Sequence, residues 1–311
     1  MRVFVTGATG FIGSAVVREL IASGHQVLGF ARSDQGAASL IAAGAEVQRG
    51  DLDNLDSLRR GASASDGVIH TAYIHDWNVS REDAAKADQR VVNAMGEALA
   101  GTDRPLVITS GTVAATEEAV PESESAGGGR YATEQLAVSF TTRGVRASVL
   151  RFPPTVHGRG DHGFVPILIN IARTKGISAY PGDGSNRWAA VHRLDAAHLF
   201  RLALESAPPG ARLHGVAEEG IPVREIAEVI GRHLNVPVTS IPREEANTHF
   251  GFLGAFFSLD LPRSSAITQR MMGWHPVQPG LIADLDAGHY FNGSDPAQNP
   301  MAATSAANLS R

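Results

Sequence analysis

The 311-residue chain has no cysteine, which excludes disulfides, thiolate nucleophiles and cysteine-bound metals. It has no excess of positive charge. The formal net charge is -5 at pH 7, whereas a nucleic-acid binder presents a basic face. No apolar run reaches membrane-spanning length, and the first strand pattern begins at Arg2, leaving no stretch for a signal peptide. His157 and His162 have no carboxylates or histidines at tight metal-ligand spacing, so no metal is expected. Internal repeats are also lacking. What remains is 43% hydrophobic and 19% charged, an ordinary balance for a globular chain of one or two domains. These absences leave a cytoplasmic, enzyme-sized protein with no membrane or nucleic-acid partner as the expectation.

Against this plain background one segment stands out, Val3-Phe-Val-Thr-Gly-Ala-Thr-Gly-Phe-Ile-Gly13. A short β-branched run enters a turn with glycines at 7, 10 and 13, and a helix follows. Such a turn aims backbone N–H groups and the positive end of a helix at a pyrophosphate. Gly7 permits the tight turn, Gly10 removes the Cβ that would meet the phosphate, and Gly13 allows close strand–helix packing. Thr9, Phe11 and Ile12 complete the turn and the first helical residues. A strand before the glycines and a helix after them is the context that gives the motif its meaning; it points to a bound dinucleotide.

The rest of the first half alternates short apolar strands with amphipathic helices. Strands are expected at Arg2–Val5, Gln26–Phe30, Ala45–Gln48, Gly67–His70, Pro105–Thr109 and Arg146–Leu150. Helices are expected at Phe11–Ser23, Gln35–Ala43, Leu55–Gly61, Arg81–Ala100 and Tyr131–Arg143, several of them stopped by glycine. This rhythm specifies an α/β fold with a doubly wound parallel sheet and right-handed crossovers. After Pro153-Pro154 it breaks. The division expected is a dinucleotide-binding domain at 1–153, rejoined by 189–216, and a smaller C-terminal substrate-binding region at 154–188 and 217–291. Helices are expected there at Phe164–Thr174, Pro222–Leu234 and Ser264–Met272. Residues 292–311, rich in Ala, Ser, Asn and Pro, read as a mobile tail.

With these pieces assembled, the chain resembles the extended and atypical short-chain dehydrogenase/reductases, the superfamily of nucleotide-sugar epimerases and dihydroflavonol-reductase-like enzymes. The resemblance runs over roughly residues 1–290 and rests on Thr6-Gly-x-x-Gly-x-x-Gly13, Gly50-Asp-Leu52, His70-Thr-Ala72, Thr109-Ser110, Arg151-Phe-Pro-Pro154 with Val156-His-Gly158, and Val191-His-Arg-Leu-Asp195. It implies a Rossmann sheet and a nicotinamide cofactor. Relatives that bind NAD carry an acid after strand 2, and those that bind NADP carry a cation. Here Arg32 and Ser33 occupy that place, with no acid before Asp34, so NADP(H) is favoured over NAD(H). By the same resemblance Asp51 and Leu52 meet the adenine, Thr71 and Ala72 approach the ribose and diphosphate, and Phe152 and Pro153 wall the nicotinamide end. A helix N-cap is the plainer role for Asp51. Tyr73, His75, Asp76 and Trp77 read equally well as pocket lining or as an ordinary polar loop. His162, in a polar loop placed to cover substrate, and Arg187 are further substrate candidates. Trp188 is one too, with plain packing as its alternative, while His192 and Asp195 read as anchors.

The superfamily's chemistry uses a Ser or Thr to hold the substrate oxygen, a Tyr to pass the proton, and a Lys four residues after the Tyr, on the same helix face. Ser110 and Thr112 supply hydroxyls, and Tyr131 opens the right helix. Its fourth successor is Gln135, which carries no charge to stabilise a phenolate, and Glu134 on the adjoining face would oppose one. A neutral Tyr131 aided by Arg130, another cation such as Arg159 or a histidine at 157 or 162, or a site that binds without catalysis all fit this departure. The reading is an NADP(H)-dependent oxidoreductase reducing a ketone or aldehyde of a small or medium organic molecule, or oxidising the alcohol. Its rivals are a nucleotide-sugar epimerase or dehydratase using NAD, and a non-catalytic NADP(H) sensor. A homodimer is compatible with all three.

Overall fold

The computed structural model describes residues 1–76, 78–112, 114–119 and 129–292. Trp77 and, apart from Asn292, the tail fall outside them. The first half alternates as its periodicity requires: β1 (Arg2–Thr6), α1 (Phe11–Ala22), β2 (Gln26–Ala31), α2 (Asp34–Ala42), β3 (Glu46–Arg49), α3 (Leu55–Ser63), β4 (Gly67–His70), α4 (Arg81–Leu99), β5 (Pro105–Gly111), α5 (Arg130–Ser139) and β6 (Arg146–Phe152). The helix expected to run to Arg143 tightens into a 3-10 turn at Phe140–Arg143, ended by Gly144 at φ 68°. Later come β7 (Thr155–His157), α6 (Phe164–Lys175), β8 (Ser178–Pro181), β9 (Arg187–His192), α7 (Arg193–Ser206), β10 (Arg212–His214), β11 (Glu218–Pro222), α8 (Val223–Leu234) and β12 (Val238–Ile241). Four short helices close the chain, α9 (Ala246–Phe250), α10 (Gly254–Phe257), α11 (Ala266–Met272) and α12 (Leu281–Asp286).

Seven strands form one sheet in the order β3-β2-β1-β4-β5-β6-β10, with every pairing parallel. A parallel sheet is covered on both faces, so its inner strands β1, β4 and β5 are largely buried, whereas the edge strand β3 is polar and partly exposed. In β1, Phe4 packs with Phe30, Leu58, Val91, Met95 and Phe140 on one side, while the pleat turns the equally buried Val3 and Val5 away. Helices α3, α4 and α5 pack in series, and α1 packs on α7. The strand order reverses direction at the β1–β4 pair. In open parallel sheets ligands bind beyond the carboxyl ends of the strands at such a switch point, and both the glycine turn after β1 and Thr71 after β4 lie there.

The described residues divide into two compact units: those of 1–152, 193–215 and 264–276, and then those of 153–192, 216–263 and 277–292. Two boundaries differ from the sequence division. Residues 264–276 join the first unit because Thr268 is bonded to Glu117, and the buried Trp274 indole donates to the Asp195 carbonyl at 3.1 Å. Residues 189–192 stay in the second unit, since β9 pairs with β7 and β11 there. That unit holds this three-stranded sheet, a parallel β8–β12 pair, and a core built on Trp188, Leu168, Ile226, Phe250, Phe257 and Leu281. No helix among the described residues is long and apolar enough to cross a membrane.

Candidate active site

The glycine turn is fixed by hydrogen bonds and by crowding. Gly7 sits at φ 66°, a left-handed conformation suited to glycine, and the Gly10 amide donates to its carbonyl at 2.9 Å. Thr71 donates through Oγ1 to the Thr6 carbonyl at 2.8 Å, which brings β4 so close that a Cβ on Gly7 would stand 2.6 Å from the Ala72 nitrogen. A Cβ on Gly13 would stand 2.0 Å from the Gly7 carbonyl. Helix α1 starts at Gly10 with no side-chain cap and no acid in its first turn. Its positive end therefore has no capping side chain and no acid of its own first turn to offset it, which suits a pyrophosphate.

Beneath the turn lies a buried polar chain that the sequence reading missed. His70 at the end of β4 bonds Thr6 Oγ1 through Nδ1 at 2.6 Å and Asp88 Oδ1 through Nε2 at 2.9 Å. A carboxylate only accepts, so Nε2 carries the proton it shares with Asp88. The signal was present in α4, where Asp88 interrupts the apolar stripe of Ala84, Ala85, Val91, Val92 and Met95. An acid on a buried stripe requires a partner. The chain ties the carboxyl ends of β1 and β4 together where the glycine turn and Thr71 begin.

Arg32 is exposed beyond β2. Ser33 caps α2, accepting from the Gly36 amide at 3.1 Å, and its hydroxyl hydrogen is still available to donate. Asp34, the one nearby acid, is bonded by Arg49 at 2.8 Å, and the same guanidinium donates to the Ser33 carbonyl. Arg49 at the end of β3 is thus a second cation beside this corner that strand-end reading overlooked. Asp51 is not the cap of α3; Asn54 takes that role. Asp51 Oδ1 instead accepts from the Asp53 and Asn54 amides, and Leu52 is half-buried against the core.

At the carboxyl end of β5 the hydroxyls separate by role. Thr109 donates to the His70 carbonyl at 2.8 Å, a structural bond. The Thr112 amide donates to the Phe152 carbonyl at 2.8 Å. Ser110 is only 4% exposed, and its Oγ has no hydrogen-bond partner among the described residues. A buried hydroxyl without a partner is costly, and a substrate oxygen would relieve it. Tyr131, also buried, is the second residue of α5. Before it, Arg130 donates to the Thr109 carbonyl at 3.2 Å and lies 3.4 Å above the Tyr73 ring; Tyr73 in turn meets His75 edge-on at 5.1 Å.

The two residues after Thr133 point elsewhere than the sequence suggested. Glu134 is fully buried and clasped by Arg151, with Nη2 to Oε2 at 2.6 Å, so its charge is neutralised and does not oppose a phenolate. Gln135 Oε1 accepts from Arg212 at 2.5 Å. Breaking a buried ion pair from one side leaves a stranded charge. Glu134→Ala is therefore expected to destabilise the fold by about 3–5 kcal/mol, read as a lower urea midpoint at unchanged slope; a midpoint within error of the parent would show that Arg151 has another counter-charge.

Phe152 packs its ring beside Phe200, 5.3 Å between centroids, over Gly215, and Pro153 beyond it is buried. Two sequence candidates are placed differently from their expected roles. Trp188 is wholly buried among Phe164, Phe256 and Phe257, which makes it core. Arg187 is spent on Asp260, with Nη2 to Oδ2 at 2.8 Å and Nε to Oδ1 at 3.0 Å. His162 remains exposed. Its loop is pinned by Tyr290, whose hydroxyl accepts from the Gly158 amide and bonds Asp161 Oδ2, each at 3.0 Å. Burial pushes the Asp161 carboxyl up to about 6, against the pull of its bonds from Gly163 and Tyr290. Among the described residues no cluster of His, Asp and Glu could hold a metal ion.

The model of the NAD dependent epimerase/dehydratase family matches residues 3–213. An uncharacterized protein of Schizosaccharomyces pombe is 51% identical over 296 residues, 94% of this chain and all of that one. A 2-alkyl-3-oxoalkanoate reductase of Stenotrophomonas maltophilia is 30% identical over 260 residues, 76% of this chain and 77% of its own length. Among solved structures, a dTDP-glucose 4,6-dehydratase from Streptomyces venezuelae, with NAD bound, superposes with a TM-score of 0.75 over 97% of this chain and all of its own, at 20% identity.

Proposed function

The chain belongs to the NAD-dependent epimerase/dehydratase family, and from that premise we propose that it is an NADP(H)-dependent reductase of ketones or aldehydes on small or medium organic molecules. The observation that carries the reading is the buried, unpartnered hydroxyl of Ser110, with Tyr131 at the start of α5. When bound, a nicotinamide cofactor supplies or accepts hydride. The residues present fit such a group: the N-terminus of α1, which has no side-chain cap and no acid in its first turn, would hold its pyrophosphate, and Arg32 with Ser33 would hold the 2′-phosphate. Ser110 donates to the substrate oxygen and orients the carbonyl, and Tyr131 delivers a proton to that oxygen. The protein's share is positioning and polarisation of the oxygen. The reductase activity named for the Stenotrophomonas maltophilia relative supports a carbonyl substrate.

The NADP preference rests on the corner beyond β2. Asp34 there is bonded to Arg49 through Oδ1, whereas Arg32 has no carboxylate partner among the described residues. NADPH is expected to bind at least about tenfold more tightly than NADH. Arg32→Ala is expected to weaken NADPH about 10- to 100-fold, the range of a charge-assisted hydrogen bond, and to leave NADH nearly unchanged. Fluorescence titration with both cofactors measures this, and equal losses for the two would remove Arg32 from the 2′-phosphate.

A second reading, binding without turnover, draws on Gln135, which stands where the superfamily's lysine would be and is bonded to Arg212. Adding a panel of ketones and aldehydes to the NADPH complex separates the two. Decay of the cofactor's fluorescence marks a reductase, and a stable shifted emission marks a sensor.

A further inference from the structure

We propose that Arg130 is the catalytic cation of this site: its guanidinium stabilises the charge that develops on the substrate oxygen during carbonyl reduction, in place of a lysine. The inference rests on the reductase reading. The chain contains only two lysines, Lys86 and Lys175. Lys86 is paired with Glu82 along α4 at 2.7 Å, and Lys175 ends α6 with its ammonium bonded to the Thr248 carbonyl. The cation must therefore be of another kind. Around α5, Arg151 is committed to Glu134, and Arg212 to Gln135 with Glu134 at 3.8 Å. Arg130 differs from both. Among the described residues no carboxylate pairs with it, and its recorded partners are the Tyr73 ring and the Thr109 carbonyl.

Those two contacts hold the guanidinium at the carboxyl end of β5. The aromatic face holds it flat, and the Thr109 carbonyl draws one edge to the residue before Ser110. Among the described residues the remaining N–H donors have no other partner, and we assign to them the oxygen that Ser110 holds. In reduction a hydride adds to the carbonyl carbon, with NADPH as the reductant and NADP+ as its oxidised product. The C=O π pair moves onto oxygen, that oxygen takes the proton of the Tyr131 hydroxyl, and the phenolate regains a proton from solvent. Negative charge passes from substrate oxygen to Tyr131 oxygen, and the guanidinium acts on the first of these. Such donors act on the transition state more than on the ground state.

Kinetics of Arg130→Met and Arg130→Lys, with NADPH affinity and the thermal midpoint measured in parallel, test this. Arg130→Met is expected to lose about 10²- to 10³-fold in kcat, the usual cost of one oxyanion donor, with KM, NADPH affinity and midpoint little changed. Arg130→Lys keeps the charge and is expected to retain more than about a tenth of kcat, and added guanidinium is expected to restore part of the Arg130→Met activity. Parental kcat in Arg130→Met overturns the proposal, as does a loss confined to KM or to NADPH affinity. In either case the reductase reading survives. No turnover of any carbonyl by the parent, with NADPH bound, removes both.

Discussion

Tyr131→Phe is expected to lower turnover by about 10²- to 10⁴-fold, the share ordinarily contributed by a positioned general acid, while NADPH affinity changes little. The side chain is buried at the opening of α5, and among the described residues its hydroxyl has no hydrogen-bond partner to be stranded by its removal. The loss should therefore appear in kcat alone, with the thermal midpoint preserved. Installing the superfamily's lysine by Gln135→Lys is not expected to compensate. Position 135 faces Arg212, and Glu134 is already held by Arg151, so a new ammonium would meet a guanidinium rather than a phenol. Parental turnover in Tyr131→Phe would move the proton donor elsewhere, with His75 beside Tyr73 as the first alternative.

The parts of this molecule that were legible in its sequence are those set by local physics. Strands β1 to β6 of the main sheet and helices α1 to α5 follow from periodicity, while the three-residue β10 is too short to show any, and Gly24, Gly144 and Gly176 stop helices or turns at positive φ, where a side chain would be strained. Strand ends ran one or two residues longer than expected at β1, β5 and β6, because the last residues pair with neighbours that periodicity alone does not identify. The short strands β7, β8, β11 and β12 carried too few residues to show an alternation. The β8–β12 pair joins segments about sixty residues apart.

The site divides in the same way. Gly7, Gly13, Thr71 and Ala72 were legible because the turn brings them together by local geometry and one strand pairing. Arg187 and Trp188 misled for the opposite reason. Their partners, Asp260 and the Phe256–Phe257 pair, lie some seventy residues away, and an arginine or tryptophan committed to such a partner looks in sequence like one awaiting a ligand. Glu134 and Gln135 were read as an obstacle and a gap. The folded chain shows a neutralised acid and an amide aimed at another strand, which shifts attention one residue back from Tyr131, to Arg130.

Gly10→Val is expected to abolish cofactor binding in a protein that still folds, and the three glycines of the turn show why. Gly7 and Gly13 are required by the protein itself: the first by its φ of 66° and the nearby Ala72 nitrogen, the second by a clash at 2.0 Å with the Gly7 carbonyl. Nothing comparable constrains Gly10. Its backbone is extended, at φ -75° and ψ 177°, a conformation any residue adopts, and an added Cβ meets only the Gly7 carbonyl at 3.2 Å. Exchanging glycine for valine at an N-cap costs at most about 1 kcal/mol, too little to unfold a domain of this size. The fold does not need Gly10 to lack a side chain, yet a valine there would fill the space before the N-terminus of α1. Circular dichroism and the thermal midpoint should match the parent, while NADPH titration shows a loss of more than about 100-fold. Gly13→Val, placed where the protein is crowded, is expected to unfold instead. A folded Gly10→Val variant with parental NADPH affinity would mean that the pyrophosphate is not held at this turn.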